Sequence, residues 1–158
     1  MKSKLTLIAV LLLGVMFSSS CKKDAIENIT GSMKANIAGT EWTGMPAGLM
    51  YADKMTISAT SEGRTIFLYV KGTAVGEYSL SALQGNTDAG SYYKYNPETE
   101  GAESVSYFST VGKVNITSID AESKRVSGTF EFTASSSSME VIEITNGTFT
   151  NVKYVSGN

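Results

Sequence analysis

Three groups of residues in this chain have the types and spacing to do chemistry: one cysteine, a set of acidic side chains, and a cluster of tyrosines. Cys21 is the only cysteine among 158 residues, and histidine is absent altogether. Without imidazole there is no Ser-His-Asp or Cys-His nucleophile and none of the usual zinc or copper ligands. Asp88, Glu98, Glu100 and Glu103 lie close together in the chain. Carboxylate oxygens suit calcium, and two carboxyls a few ångströms apart are the working parts of a glycosidase. Their spacing matches no calcium loop, however, and acids are ordinary in solvated loops. The expectation is therefore no metal, no cofactor, no catalytic residues and no enzyme. Tyr92, Tyr93 and Tyr95 are the candidate ligand-binding residues. Exposed rings stack on sugar faces, and the amides of Asn86 and Asn96 stand near enough in sequence to fix hydroxyls. The competing reading is that alternate tyrosines pack a hairpin onto the domain.

Cys21 carries the strongest signal. Lys2 and Lys4 precede an apolar run from Leu5 to Phe17, interrupted by Thr6 and Gly14. The run is shorter than the roughly 20 residues of a spanning helix and has the charge, length and position of a secretory signal core. Ser18, Ser19 and Ser20 supply small residues for a signal peptidase. Phe17-Ser18-Ser19-Ser20-Cys21 resembles a lipobox in which Ser18 stands where an aliphatic residue is usual, a relaxed form familiar in lipoproteins of the Bacteroidota type. Cleavage would make Cys21 a diacylglyceryl-bearing first residue. Each buried methylene contributes about 0.8 kcal/mol and stable attachment needs two chains, which this group has. Residues 1–20 are thus expected to be a lipoprotein signal peptide, 21–31 the lipidated cysteine and a tether, and 32–158 a single domain.

That reading implies a membrane partner through the lipid and a place at the outer membrane, on the cell surface or its periplasmic face. Lys22 follows the cysteine, not the aspartate that retains many lipoproteins in the inner membrane. Lys22-Lys23-Asp24 matches in part a surface-export signal of Lys-plus-acid type, with Ala25 where a second acid belongs.

Charge narrows the partners further. The chain has 13 basic and 15 acidic residues, and loss of Lys2 and Lys4 with the signal makes the remainder more acidic. Beyond Lys22-Lys23 there is no basic run, so nucleic acid is not an expected partner. No phosphate-cradling glycine loop or EF-hand spacing is present.

The elements that must position these residues read as strands. From Ser32 onward no window sustains a helical apolar period. Arg125 to Ala134 is the clearest strand, with Val126, Gly128, Phe130, Phe132 and Ala134 on one face and polar side chains on the other. Met33, Ala35 and Ile37 alternate before Gly39-Thr40-Glu41-Trp42, and Met55, Ile57 and Ala59 before a turn at Ser61 to Arg64. Trp42 is expected as a core or barrel-end plug. Thr65 to Val70 is apolar on both faces and predicts a central strand covered on both sides. Tyr78 and Leu80 mark one short strand; Val105, Tyr107 and Phe108 mark another, separate from the strand begun by Val114 and Ile116. Asn146-Gly147 predicts either a type I′ hairpin or a bulge in one long strand. Gln84 to Ser104 reads as a long exposed loop or protruding hairpin. The sum is nine or ten short strands in an all-β antiparallel meander, a β-sandwich or flattened β-barrel.

The strings Met33-Lys34-Ala35-Asn36-Ile37-Ala38-Gly39-Thr40-Glu41-Trp42, Val126-Ser127-Gly128-Thr129-Phe130-Glu131-Phe132 and Ile144-Thr145-Asn146-Gly147-Thr148-Phe149 are similar to motifs of a family of small Bacteroidota lipoproteins of unknown function. The resemblance implies a cell-envelope lipoprotein with a β domain and brings no catalytic residues. The expected role is a non-catalytic binding or interaction module for a glycan, a peptide or an envelope protein. A small-ligand carrier with an internal barrel cavity is the alternative, and a carboxylate-dependent hydrolase the third reading.

Overall fold

Period-2 alternation decides the architecture, and the strand that shows it best also sets the pattern for its neighbours. The computed structural model describes residues 30–82, 88–95 and 104–157. In chain order its strands are β1 (Ser32–Ile37), β2 (Thr40–Tyr51), β3 (Lys54–Ser61), β4 (Arg64–Lys71), β5 (Gly76–Ser79), β6 (Ala89–Tyr95), β7 (Ser104–Asp120), β8 (Arg125–Ser136) and β9 (Val141–Gly157). In β8, Val126, Phe130, Phe132 and Ala134 are buried while Thr129 and Glu131 are exposed. A one-residue slip would exchange the two sets, so the register is fixed by burial.

The strands form one sheet that closes on itself. β1, β2, β3, β4, β6, β7, β8 and β9 each bond to the next, and β9 returns to β1, giving a flattened eight-strand ring. β5 stands outside this count: it pairs with Lys113 to Ile116 of β7, in line with β6, which pairs with Ser104 to Phe108 of the same strand. Apart from the excursion through β5, connections run between neighbouring strands, as expected of a meander.

Because β1 is short, β9 meets two strands at the seam. β1 runs antiparallel between β2 and β9, from the Ser32–Thr150 pair to the Ile37–Ile144 pair. Beyond Ser32, β2 and β9 meet directly in a parallel ladder from Gly48–Tyr154 to Tyr51–Gly157. Gly48 makes that approach possible, since a Cβ there would lie 2.8 Å from the Cβ of Tyr154. Gly31, at φ 89, sits in the fork, packed against the carbonyls of Thr150 and Asn151.

The inward face is filled by apolar side chains from every strand of the ring, among them Met33, Trp42, Ile57, Leu68, Val114, Phe130, Phe132 and Phe149. Each such side chain contributes roughly 1.5–3 kcal/mol when fully buried. Inward glycines make room for the largest rings: Gly44 lies under Trp42, Gly128 under Phe149 and Gly147 under Phe130. Apolar-in and polar-out is the reverse of a lipid-spanning barrel. Among the described residues no helix is long and apolar enough to cross a membrane.

Of the two readings of Asn146-Gly147, the bulge within one long strand is the one found: Asn146 takes φ 52, and the β8–β9 register shifts between Phe130 and Phe132. Asn151 repeats the device at φ 51 beside the shift between Val126 and Gly128. Several other expectations are revised. Val105 to Phe108 and Val114 to Ile116 belong to a single 17-residue strand, β7. Gln84 to Ser104 is no simple loop, because Ala89–Tyr95 is a wall strand bonded to β4 and β7. Thr65 to Val70 is covered on one side only. Ile66, Leu68 and Val70 are buried, but Phe67 is half-buried and Tyr69 exposed on the outer surface.

Candidate functional site

The outer surface of β2, β3, β4 and β6 differs from the rest of the barrel wall. Reading the ladders across it, one row holds Met45, Thr60, Thr65 and Tyr93; the next holds Ala47, Ser58, Phe67 and Ser91; the next Leu49, Thr56, Tyr69 and Ala89. A last row is Tyr51, Lys54 and Lys71. None of these outward positions is a carboxylate. Aromatic and aliphatic side chains share this surface with small hydroxyl side chains.

The three tyrosines named from the sequence divide as strand geometry requires. Tyr92 points inward, is buried, and packs against Tyr107 with ring centroids 5.6 Å apart and planes at 38°. Burial raises its pKa above the ordinary tyrosine value, with Arg64 opposing the rise. It is a core residue and is not presented to a surface ligand. Tyr93 and Tyr95 point outward, the first half-buried and the second exposed. The Tyr95 backbone N–H donates to Gly63 at 2.8 Å, which fixes the end of β6 on the β3–β4 turn.

The structure adds neighbours that the sequence reading did not select. Phe67 and Tyr69, two residues apart on β4, stack with centroids 5.9 Å apart and planes at 10°. Ser91 separates Phe67 from Phe108, which is more than half exposed on β7. The sequence signal for Phe67 and Tyr69, apolar residues on both faces of β4, is one that burial on both sides would also give. Asn86, Asn96, Glu98, Glu100 and Glu103 lie outside the described residues. Asp88 is described, and its carboxylate accepts the Lys71 backbone N–H, tying the foot of β4 to the start of β6.

The opposite wall is polar. A groove of about 450 Å³ runs between Lys113, Asn115, Thr129, Glu131, Asn146 and Thr148. A second of about 400 Å³, with Lys34, Asn36, Glu41 and Thr43, adjoins it at Asn146 and Thr148. Lys113 lies 3.4 Å from Glu77 and 3.8 Å from Glu131, exposed ion pairs of small energetic value. Among the described residues no three acidic or thiol groups converge to hold a metal ion.

Height on the barrel separates these features. Strand directions place Tyr95, the β3–β4 turn and the β8–β9 connection at one end, the upper one. The β2–β3 turn, the β7–β8 turn and the end of β9 lie at the other. Gly31 enters nearer that second end, along β9 at Thr150 and Asn151.

The profile of a family described as a domain of unknown function, DUF6252, matches residues 29–153. No curated protein and no solved structure matches the chain.

Proposed function

The chain belongs to the DUF6252 family of domains of unknown function, and on that premise we propose that it is a lipid-anchored cell-envelope protein that binds a ligand without transforming it. Cys21 is the acylated first residue, residues 1–20 are removed, and the domain stands at the outer membrane. The ligand class favoured is a glycan, bound at the upper part of the aromatic wall by Tyr93, Tyr95, Phe67 and Phe108.

The observation that carries this reading is the outward placement of Tyr93 and Tyr95 beside Phe67 and Phe108, separated by serine and threonine hydroxyls. Flat rings supply area at low conformational cost, and hydroxyls at their edges supply orientation. The ring-bearing end also lies away from the tether entry, so a ligand approaching from solvent meets it first.

Two experiments test the two halves. Metabolic labelling with a fatty-acid analogue should mark the wild type and leave Cys21→Ala unmarked; a labelled variant would refute acylation at this residue. On an array of envelope glycans, Tyr93→Ala and Tyr95→Ala should each weaken binding while the domain keeps its fold. Undiminished binding in the double variant would remove the wall from consideration.

A further inference from the structure

The lower part of the same wall presents apolar side chains that a glycan site does not need. Leu49 on β2 and Val155 on β9 are paired across the parallel ladder, and 46% and 62% of their surfaces are exposed. Tyr51, 54% exposed, lies over Gly157, where a Cβ would sit 2.6 Å from its ring. Cross-strand neighbours of this kind form a contiguous patch rather than scattered exposed residues. Lys54, Lys71 and Lys153 surround it, all exposed.

We infer that this β2–β9 seam rests on the lipid bilayer, with Leu49, Tyr51 and Val155 at headgroup depth and the three lysines against anionic lipid. The inference rests on acylation of Cys21 and deepens it, by assigning the domain an orientation on its membrane. Chain length supports it. The segment from Cys21 to Gly31 spans at most about 35 Å when extended. From Asn151, which Gly31 touches, to the lower end of β9 is about 20 Å at the usual rise per residue. The anchor is therefore long enough to reach past the seam, and so to hold it near the bilayer at high effective concentration. Charge points the same way. The strand positions of this face carry lysines and no carboxylate, with Asp53 in the β2–β3 turn and Asp88 beside Lys71 at its margin, so the face is drawn to anionic lipid that would repel the acidic remainder of the chain. A tyrosine beside aliphatic side chains is the usual composition at a membrane–water boundary.

The test uses the fact that acylation consumes the chain's only thiol. Leu49→Cys, Val155→Cys and, on the opposite wall, Asn115→Cys each carry one nitroxide label in the full lipoprotein. The protein is reconstituted in vesicles of phosphatidylethanolamine with a minority of phosphatidylglycerol. Collisions with oxygen, which enters the bilayer, are compared with collisions with a water-soluble nickel complex. The oxygen-to-nickel ratio should be several-fold higher at positions 49 and 155 than at 115, and should fall toward the value at 115 when Lys54, Lys71 and Lys153 are changed to Glu. Equal ratios at all three positions in protein that floats with the vesicles would overturn the docking and leave the anchor intact. Spin–spin broadening between molecules at water-accessible labels would give the seam to a second copy and also overturn it. Protein that does not float, with Cys21 still reactive to maleimide, would refute the anchor and the docking together.

Discussion

The phenol of Tyr107, buried on the inner side of β7, donates a 2.7 Å hydrogen bond to Oε2 of Glu140 in the connection after β8. The same connection is fastened to its own strand, since Glu140 N–H reaches the Ser136 hydroxyl at 3.2 Å and Ser136 N–H the Glu140 carbonyl at 2.9 Å. Tyr107 therefore latches the upper end of the β8–β9 hairpin to the wall beside it.

Burial, the hydrogen bond to Glu140 and the Glu140 charge push the Tyr107 pKa from 10.0 up to about 12. The folded state then holds a proton that the unfolded chain gives up. Stability from this group is complete below pH 10 and is lost as pH rises toward about 12. Urea midpoints should fall over that interval, and less steeply in Tyr107→Phe. At neutral pH that variant should lose about 1–2 kcal/mol, because Glu140 is left at the surface, where water replaces the phenol.

The two faces of β6 should separate in a stability series. Tyr92→Ala removes a buried ring packed on Tyr107 and should cost about 3–5 kcal/mol. Tyr95→Ala, at an exposed position, should stay within about 0.5 kcal/mol. Chemical denaturation of each variant measures this directly. An equal loss from both would mean that β6 is packed on both faces.

Trp42 is 3% exposed, and its indole N–H has no partner among the described residues. Trp42→Ala should cost about 3–5 kcal/mol through the cavity it leaves. Trp42→Phe should cost less than about 1.5 kcal/mol, because it keeps most of the filling and discards an unpaired donor. As the only tryptophan, Trp42 should emit at short wavelength when folded, and the emission should shift to the red in step with loss of sheet signal.

Gly48→Val should act on the part of the seam where β2 meets β9. Its branched side chain would have to share the 2.8 Å between position 48 and the Cβ of Tyr154. A cost of about 1–3 kcal/mol is expected, with faster amide exchange at Leu49 to Tyr51 and Val155 to Gly157 than elsewhere in β2 and β9. Uniform exchange in the variant would show that the parallel ladder survives.

Legibility followed burial. β8 could be read directly, because one of its faces is buried throughout and the other is wet. The inward residues of β1, β3 and β4 were equally plain. The 17-residue span of β7 was not, because Ser109 to Lys113 holds Gly112 and a register shift, which interrupt alternation as a turn would. Asn146-Gly147 has the composition of a hairpin, and only pairing with both neighbouring strands shows that the chain continues through it. Tyr93 and Tyr95 were named from local density of rings, but their partners Phe67 and Phe108 come from other strands. No local pattern gives that adjacency. The meeting of Gly48 with Tyr154 was hidden for the same reason.

That meeting joins the second strand to the last, and so sets an order of events in time. A ribosome or a translocon delivers the chain from its N-terminus, so the free edge of β2 must wait for almost the entire domain to emerge before β9 can pair with it. Contacts so distant in sequence are slow to form, because the loop entropy is spent before the bonds return it. Until then the nascent sheet is an open one with two unpaired edges, the form most prone to join another chain. A chain cut just before Val155 would keep the β1–β9 pairs and nearly all of the core, and yet leave Leu49 to Tyr51 of β2 without their partners, a short bare edge open to another chain.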